Sequence, residues 1–112
     1  GDGNQRRSFT YVGDVVKGII KLMDTKKAEG QVINIGNSDE ITINELAKLV
    51  IKITKSKSQI EYIPYEKAYG IGFEDMSRRK PDISKINKLI GFQPTLGIEE
   101  IVEQVVKYMK SI

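Results

Sequence analysis

Apolar residues recur at helical spacing in three stretches of the chain. Val15, Val16, Ile19, Ile20 and Met23 form the first stripe, and Asp14 ahead of them has the side chain of an N-cap. The second follows Thr42-Ile43-Asn44-Glu45, a capping-box sequence, and Leu46, Leu49, Val50 and Ile53 carry it to Thr54. In the third, Gly97 precedes Ile98, Ile101, Val102, Val105, Val106 and Met109, a stripe predicted to face inward. Between these, Asp82 predicts the start of a short helix through Ile90. Gly91 follows as its C′ residue, and Pro94 separates it from the last helix.

Three segments read as short strands: 9–12, 31–36 and 60–64. The second is a buried strand ending in glycine. The third places Ile60, Tyr62 and Pro64 on one side, and Pro64 puts it at an edge or at its own end. From Tyr65 to Pro81 periodicity disappears, which predicts a long functional or mobile loop. The pattern is that of a mixed α/β domain with about four helices and three short strands. Those strands are too few and too short for a doubly wound sheet. They are expected to pair with something else or to cluster on one side of the helices, as in a piece of a larger protein. There is no internal repeat.

At 112 residues the chain is at most one domain, and its 39% hydrophobic and 29% charged content is ordinary for a globular protein. No apolar run approaches the roughly 18 residues of a membrane span, and the polar first residues predict no signal peptide. A cytoplasmic location without membrane contact is the expectation. Cysteine and histidine are both absent, which removes disulfides, thiolate metal sites, the commonest metal ligand and the commonest neutral-pH base. No metal site is expected. The net charge of +3 is dispersed rather than gathered in a basic stripe with aromatics, so nucleic acid is not an expected partner.

Of 18 basic residues, only Arg6, Arg7, Arg78 and Arg79 are arginine, in two doublets. Arginine grips a phosphate or carboxylate with a planar fork, whereas lysine is a point charge. At least one arginine of each doublet is therefore a candidate for function, against the plainer reading of two solvated charge pairs. Gly1-Asp2-Gly3 looks like the start of a dinucleotide fingerprint. Position 6 is arginine instead of the third glycine, no strand precedes it, and no Walker pattern occurs. It reads as a turn. A phosphate bound here would be held by the arginines.

Without histidine or cysteine no conventional triad is possible. Tyr11, Tyr62, Tyr65, Tyr69 and Tyr108 all lack a lysine four residues on. Glu74 and Asp75 are expected to accept hydrogen bonds from arginines or loop amides rather than serve as acids. The chain alone therefore lacks a complete active site.

The segment Gly1-Asp2-Gly3-Asn4-Gln5-Arg6-Arg7-Ser8-Phe9-Thr10-Tyr11-Val12-Gly13-Asp14 resembles one of the extended short-chain dehydrogenases/reductases, the NAD-dependent nucleotide-sugar epimerases, dehydratases and decarboxylases. Further matches follow in order at 32–36, 41–46, 79–85 and 89–94, so the resemblance covers essentially the whole chain. It implies a small C-terminal substrate-binding subdomain at residues 1–112, a fragment whose Rossmann domain, with NAD and the Tyr-x-x-x-Lys pair, lies elsewhere. The implied ligand is a UDP-sugar or related nucleotide sugar, and the implied parent is a homodimer. Arg7 matches the arginine on the substrate diphosphate, and Gln5 lies beside the nucleotide. Ile43 matches an apolar position near base or ribose, or simply packs the helix start; Asn34 is structural.

Tyr69-Gly70-Ile71-Gly72-Phe73-Glu74-Asp75 with Arg79-Lys80-Pro81 resembles the bacterial UDP-glucuronic acid decarboxylase branch. By that resemblance Tyr69 and Phe73 face the sugar nucleotide, and Arg79 binds substrate and donates a proton after decarboxylation. Phe73 departs from the tyrosine of that branch. Three functions follow: the substrate-binding part of an epimerase/dehydratase working through a 4-keto sugar, that of a UDP-glucuronate decarboxylase, or a stand-alone nucleotide- or polyanion-binding module. The isolated chain is expected to have no turnover.

Overall fold

A computed structural model describes all residues, 1–112. It is mixed α/β. Five helices, α1 (Val12–Met23), α2 (Ile43–Thr54), α3 (Tyr65–Tyr69), α4 (Ser84–Ile90) and α5 (Ile98–Ser111), accompany three two-residue strands, β1 (Arg6–Arg7), β2 (Ile41–Thr42) and β3 (Arg78–Arg79). A short 3-10 turn spans Lys26–Ala28. The sheet order is β2-β1-β3, with β1 antiparallel to β2 and parallel to β3.

None of the three expected strands pairs. Residues 9–12 lead directly into α1, and the strand lies upstream at the first arginine doublet. Residues 31–36 are extended, but no amide from 32 to 36 donates to a backbone acceptor, and Val32 is 88% exposed. That segment has a strand's composition and no neighbouring strand. Residues 60–64 are likewise unpaired. The expected loop at 65–81 instead contains α3 and β3.

The helices are placed largely as their stripes predict. Thr42 caps α2, its hydroxyl accepting from the Glu45 amide at 3.1 Å. Gly91 closes α4 in the left-handed region at φ 68°, a conformation glycine adopts without steric cost. Asp82 sits one residue before the Ile83 N-cap, and its carboxylate accepts from the Ser84 amide and hydroxyl. The Asp14 expectation fails in an informative way. The N-cap of α1 is Tyr11, and Asp14 lies inside the first turn, buried at 4% exposure. Its carboxylate accepts from the Thr95 amide at 2.9 Å and hydroxyl at 2.6 Å, which ties α1 to the connection before α5.

Ile86, Ile90 and Phe92 form the main core, with Leu22, Ile33 and Ile35 packed around them. The helix α1 reaches this core through Gly18, where an added Cβ would lie 2.6 Å from Ile35 and 3.1 Å from Phe92. Its apolar stripe therefore faces the other way: Val16, Ile19, Ile20 and Met23 are exposed rather than inward. A second apolar contact joins α2 to α5. Ile101 and Val102 are buried there, while Val105 and Met109 remain more than half exposed.

Candidate functional site

The small sheet sorts the two arginine doublets. Pairing of β1 with β3 sets Arg6 beside Arg78 and Arg7 beside Arg79. Alternation along a strand then gives each face one arginine from each doublet. On one face Arg78 donates through Nε and Nη2 to Glu40 Oε1, both at 2.8 Å. The Glu40 side chain is 6% exposed, and the Arg78 hydrogen bond outweighs burial and holds its carboxyl below the usual range. Charges on Lys80 and Arg6 add to this.

On the other face Arg7 donates from Nη2 to Asp75 Oδ1 at 2.8 Å, with side-chain exposures of 17% and 29%. Arg7 Nη1 donates to the Arg6 carbonyl. The same Asp75 oxygen accepts from the Met76 amide. Asp75 thus takes one arginine and one loop amide, the role expected of it.

Asp75 is among the residues that line a cleft of about 560 Å³. Gln5 and Ile43 line it, together with Ile60–Ile63 and an aromatic wall of Tyr65, Tyr69 and Phe73. The aromatic wall is ordered by its own contacts: Tyr69 stacks on Phe73 with ring centres 4.3 Å apart, and Tyr65 meets Phe73 edge-on at 5.4 Å. Gln5 Oε1 is buried and has no hydrogen-bond partner. A buried carbonyl oxygen without a donor is a costly arrangement, and a ligand N–H would relieve it.

Four of the expected site residues, Gln5, Ile43, Tyr69 and Phe73, therefore share one cleft, and Arg7 reaches its edge through Asp75. Arg79 does not line it. It lies next to Arg7 across the sheet, with Nη2 3.5 Å from Met76 Sδ.

Two participants were not singled out from sequence. Asn44 organises the cleft: its amide group donates to the Asp2 carbonyl and Asn4 Oδ1, and its Oδ1 accepts from the Tyr62 hydroxyl at 2.8 Å. Gly3, at φ 77°, packs so closely on Asn44 that a Cβ would collide with its side chain. Glu40 is the other. Neither Asn44 nor Glu40 carries a local signal, since their partners are distant in sequence. No group of three His, Cys, Asp or Glu side chains that could hold a metal comes together. Nor does any glycine-rich phosphate motif exist to hold a dinucleotide.

The family model for GDP-mannose 4,6 dehydratase matches residues 1–105. UDP-N-acetyl-alpha-D-glucosaminuronate decarboxylase of Bacillus cytotoxicus is 40% identical over 112 residues, covering all of this chain and 35% of that protein. UDP-glucuronic acid decarboxylase 1 of Danio rerio is 35% identical over 108 residues, covering 96% of this chain and 24% of that protein. Among solved structures, UDP-glucuronic acid 4-epimerase from Bacillus cereus, in complex with UDP-glucuronic acid and NAD, superposes with a TM-score of 0.79 at 30% identity. The match covers 99% of this chain and 34% of that one. UDP-glucose 4-epimerase from Thermotoga maritima, with UDP-glucose, gives a TM-score of 0.85 at 30% identity, over 99% of this chain and 33% of that one. The chain thus spans about a third or less of the length of these proteins.

Proposed function

The chain belongs to the GDP-mannose 4,6 dehydratase family of extended short-chain dehydrogenases/reductases, and on that premise we propose that it is the nucleotide-sugar-binding part of a larger NAD-dependent enzyme. The observation that carries this is the convergence of Gln5, Ile43, Tyr69 and Phe73 on one cleft with Arg7 at its rim. A nucleotide sugar needs an apolar and aromatic surface for base and ribose, an acceptor for a base N–H, and cationic partners for its diphosphate. The cleft offers Ile43 with the aromatic wall, Gln5 Oε1, and the Arg7 fork in that order. Ile43, as the first residue of α2, packs the helix start and faces the cleft at once.

Nothing in this chain fits NAD, so the cofactor, with its oxidation of the sugar, is assigned to another part of the protein. The role of these residues is to bind and orient. Charge-assisted arginine bonds are roughly twice as strong as neutral ones. Binding energy from the diphosphate, remote from the reacting carbon, can hold the sugar in a reactive position. The exposed face of α1 and the unpaired segment 31–36 support this assignment as a C-terminal subdomain covered by the rest of an enzyme.

Calorimetric titration of the full-length protein with UDP tests the site. Arg7→Ala should weaken binding at least tenfold, about 1.4 kcal/mol or more, as expected for a lost hydrogen-bonded charge partner. Unchanged affinity would remove Arg7 from the site.

A decarboxylase is the second reading, favoured by Arg79 standing beside Arg7 and by the two decarboxylase relatives. In a 4-keto uronic acid the carboxylate leaves as carbon dioxide, its bonding electrons pass to the keto oxygen, and C5 then needs a proton. Arg79 is the candidate donor. Release of carbon dioxide from UDP-glucuronate, lost in Arg79→Ala, supports it; an epimerised uronic acid with no carbon dioxide rules it out.

A further inference from the structure

The partner that Arg7 holds in this structure is itself an anion. Asp75 offers it a single oxygen, shared with the Met76 amide, while the second guanidinium nitrogen turns to the Arg6 carbonyl. The fork is thus engaged one-to-one with the carboxylate. A diphosphate carries more charge and more acceptor oxygens, and it matches the guanidinium bidentately.

The two partners also differ in how firmly they are held. Arg7 lies on the central strand of the sheet. Asp75 lies in the segment between α3 and β3, every residue of which is exposed, with Gly70 and Gly72 at φ 95° and 87° and open space around both. Asp75 can turn toward water with its exposed segment, whereas the backbone that carries Arg7 is held between two strands.

We propose that Asp75 is an internal competitor for Arg7, holding the guanidinium in the free protein and yielding it to the diphosphate of an incoming nucleotide sugar. Resting on Arg7 as the diphosphate arginine, this makes Asp75 a specificity-determining residue. The carboxylate keeps the half-buried Arg7 guanidinium from standing open to any weak anion. A ligand gains the arginine only if its own charge outcompetes the carboxylate. Nucleosides without phosphate fill the cleft and leave the pair intact. Phe73 of the aromatic wall belongs to the same segment, so release of Asp75 frees it to close on the base or sugar.

Calorimetry on the full-length protein with UDP and with uridine tests this. Asp75→Asn should tighten UDP about three- to tenfold, the range spanned by exposed and by shielded charge pairs, and leave uridine unchanged. Weaker or equal UDP affinity in Asp75→Asn, with UDP still bound by the wild type, makes Asp75 a support for Arg7 and overturns the competition while the cleft stands. A shift in uridine affinity equal to that for UDP overturns it too, because the effect would not pass through the phosphates. Failure of UDP to bind the wild type removes the site and the competition together. Should Asp75→Asn not fold, the Met76 amide resonance of the wild type decides. It moves on saturation with UDP if Asp75 lets go, and stays in place if the pair persists.

Discussion

Asp14, Glu40 and Asp82 each sit in an environment that lowers the carboxyl pKa through a named donor. For Asp14, burial raises the pKa, but the Thr95 hydroxyl and amide, the Leu96 amide and the Lys17 charge more than reverse it. For Asp82 the donors are the amide and hydroxyl of Ser84. Groups whose pKa falls on folding contribute stability above their unfolded value, and that stability is lost as pH drops through the folded value. The melting temperature should therefore hold above about pH 5 and fall as pH drops below about 4. Asp14→Ala should cost roughly 2–3 kcal/mol at neutral pH, the worth of a buried charged acceptor, and flatten the acid limb in a pH series of thermal melts. An acid limb unchanged in that variant would contradict the role given to Asp14. The sequence marks Asp14 as a helix-start residue. Its partner, Thr95, lies 81 positions away, and no local pattern encodes such a distance. The arginine doublets were more legible, because lysine does the surface work elsewhere. Which members of the two doublets share a face depends on strand register, which two-residue strands do not announce.

Among the elements, the helices were readable because their period and caps are local, as at Thr42 and Gly91. The strands were not. Residues 31–36 have strand composition without a ladder, whereas Arg6–Arg7 and Arg78–Arg79 have a ladder without strand composition. Composition reports how well a side chain fits a pleated, half-buried surface, and pairing depends on what lies alongside. The helix α1 shows the same thing: its apolar stripe was legible, but Gly18, not the stripe, meets the core. Gly18→Ala opposes two effects there. Helix propensity favours alanine by up to about 1 kcal/mol. The new methyl, however, would lie 2.6 Å from Ile35 and 3.1 Å from the buried Phe92 ring. Overpacking costs typically 1–3 kcal/mol, so a net loss is expected in urea denaturation. A gain in stability would show that Phe92 can move aside. At the end of α2, Lys55 adopts φ 54° without being glycine. Lys55→Gly should relieve about 0.5–1 kcal/mol of that strain, read from the same curves.

As a whole molecule the chain is open. Its radius of gyration is 17.0 Å, against about 13 Å for a compact chain of near this length. Only 10 of 112 residues are buried, and its 51 backbone hydrogen bonds fall short of the roughly 75 a typical fold of this size would hold. Val16, Ile20, Met23 and Val32 are exposed, and the proposed reading as part of a larger enzyme requires that another body cover them. Hydrogen exchange can show this: amides 32–36 should exchange fast in the 112-residue chain and slowly in the full-length protein. Equal exchange in both would mean that nothing pairs with the segment. No helix is long and apolar enough to cross a membrane. The most direct measurement of all is a crystal structure of the full-length protein with UDP. It should place the base between Ile43 and the Tyr69–Phe73 wall, with the diphosphate on Arg7 and Asp75 turned away. UDP bound elsewhere, or seated in the cleft with its phosphates out of reach of Arg7, would contradict the site.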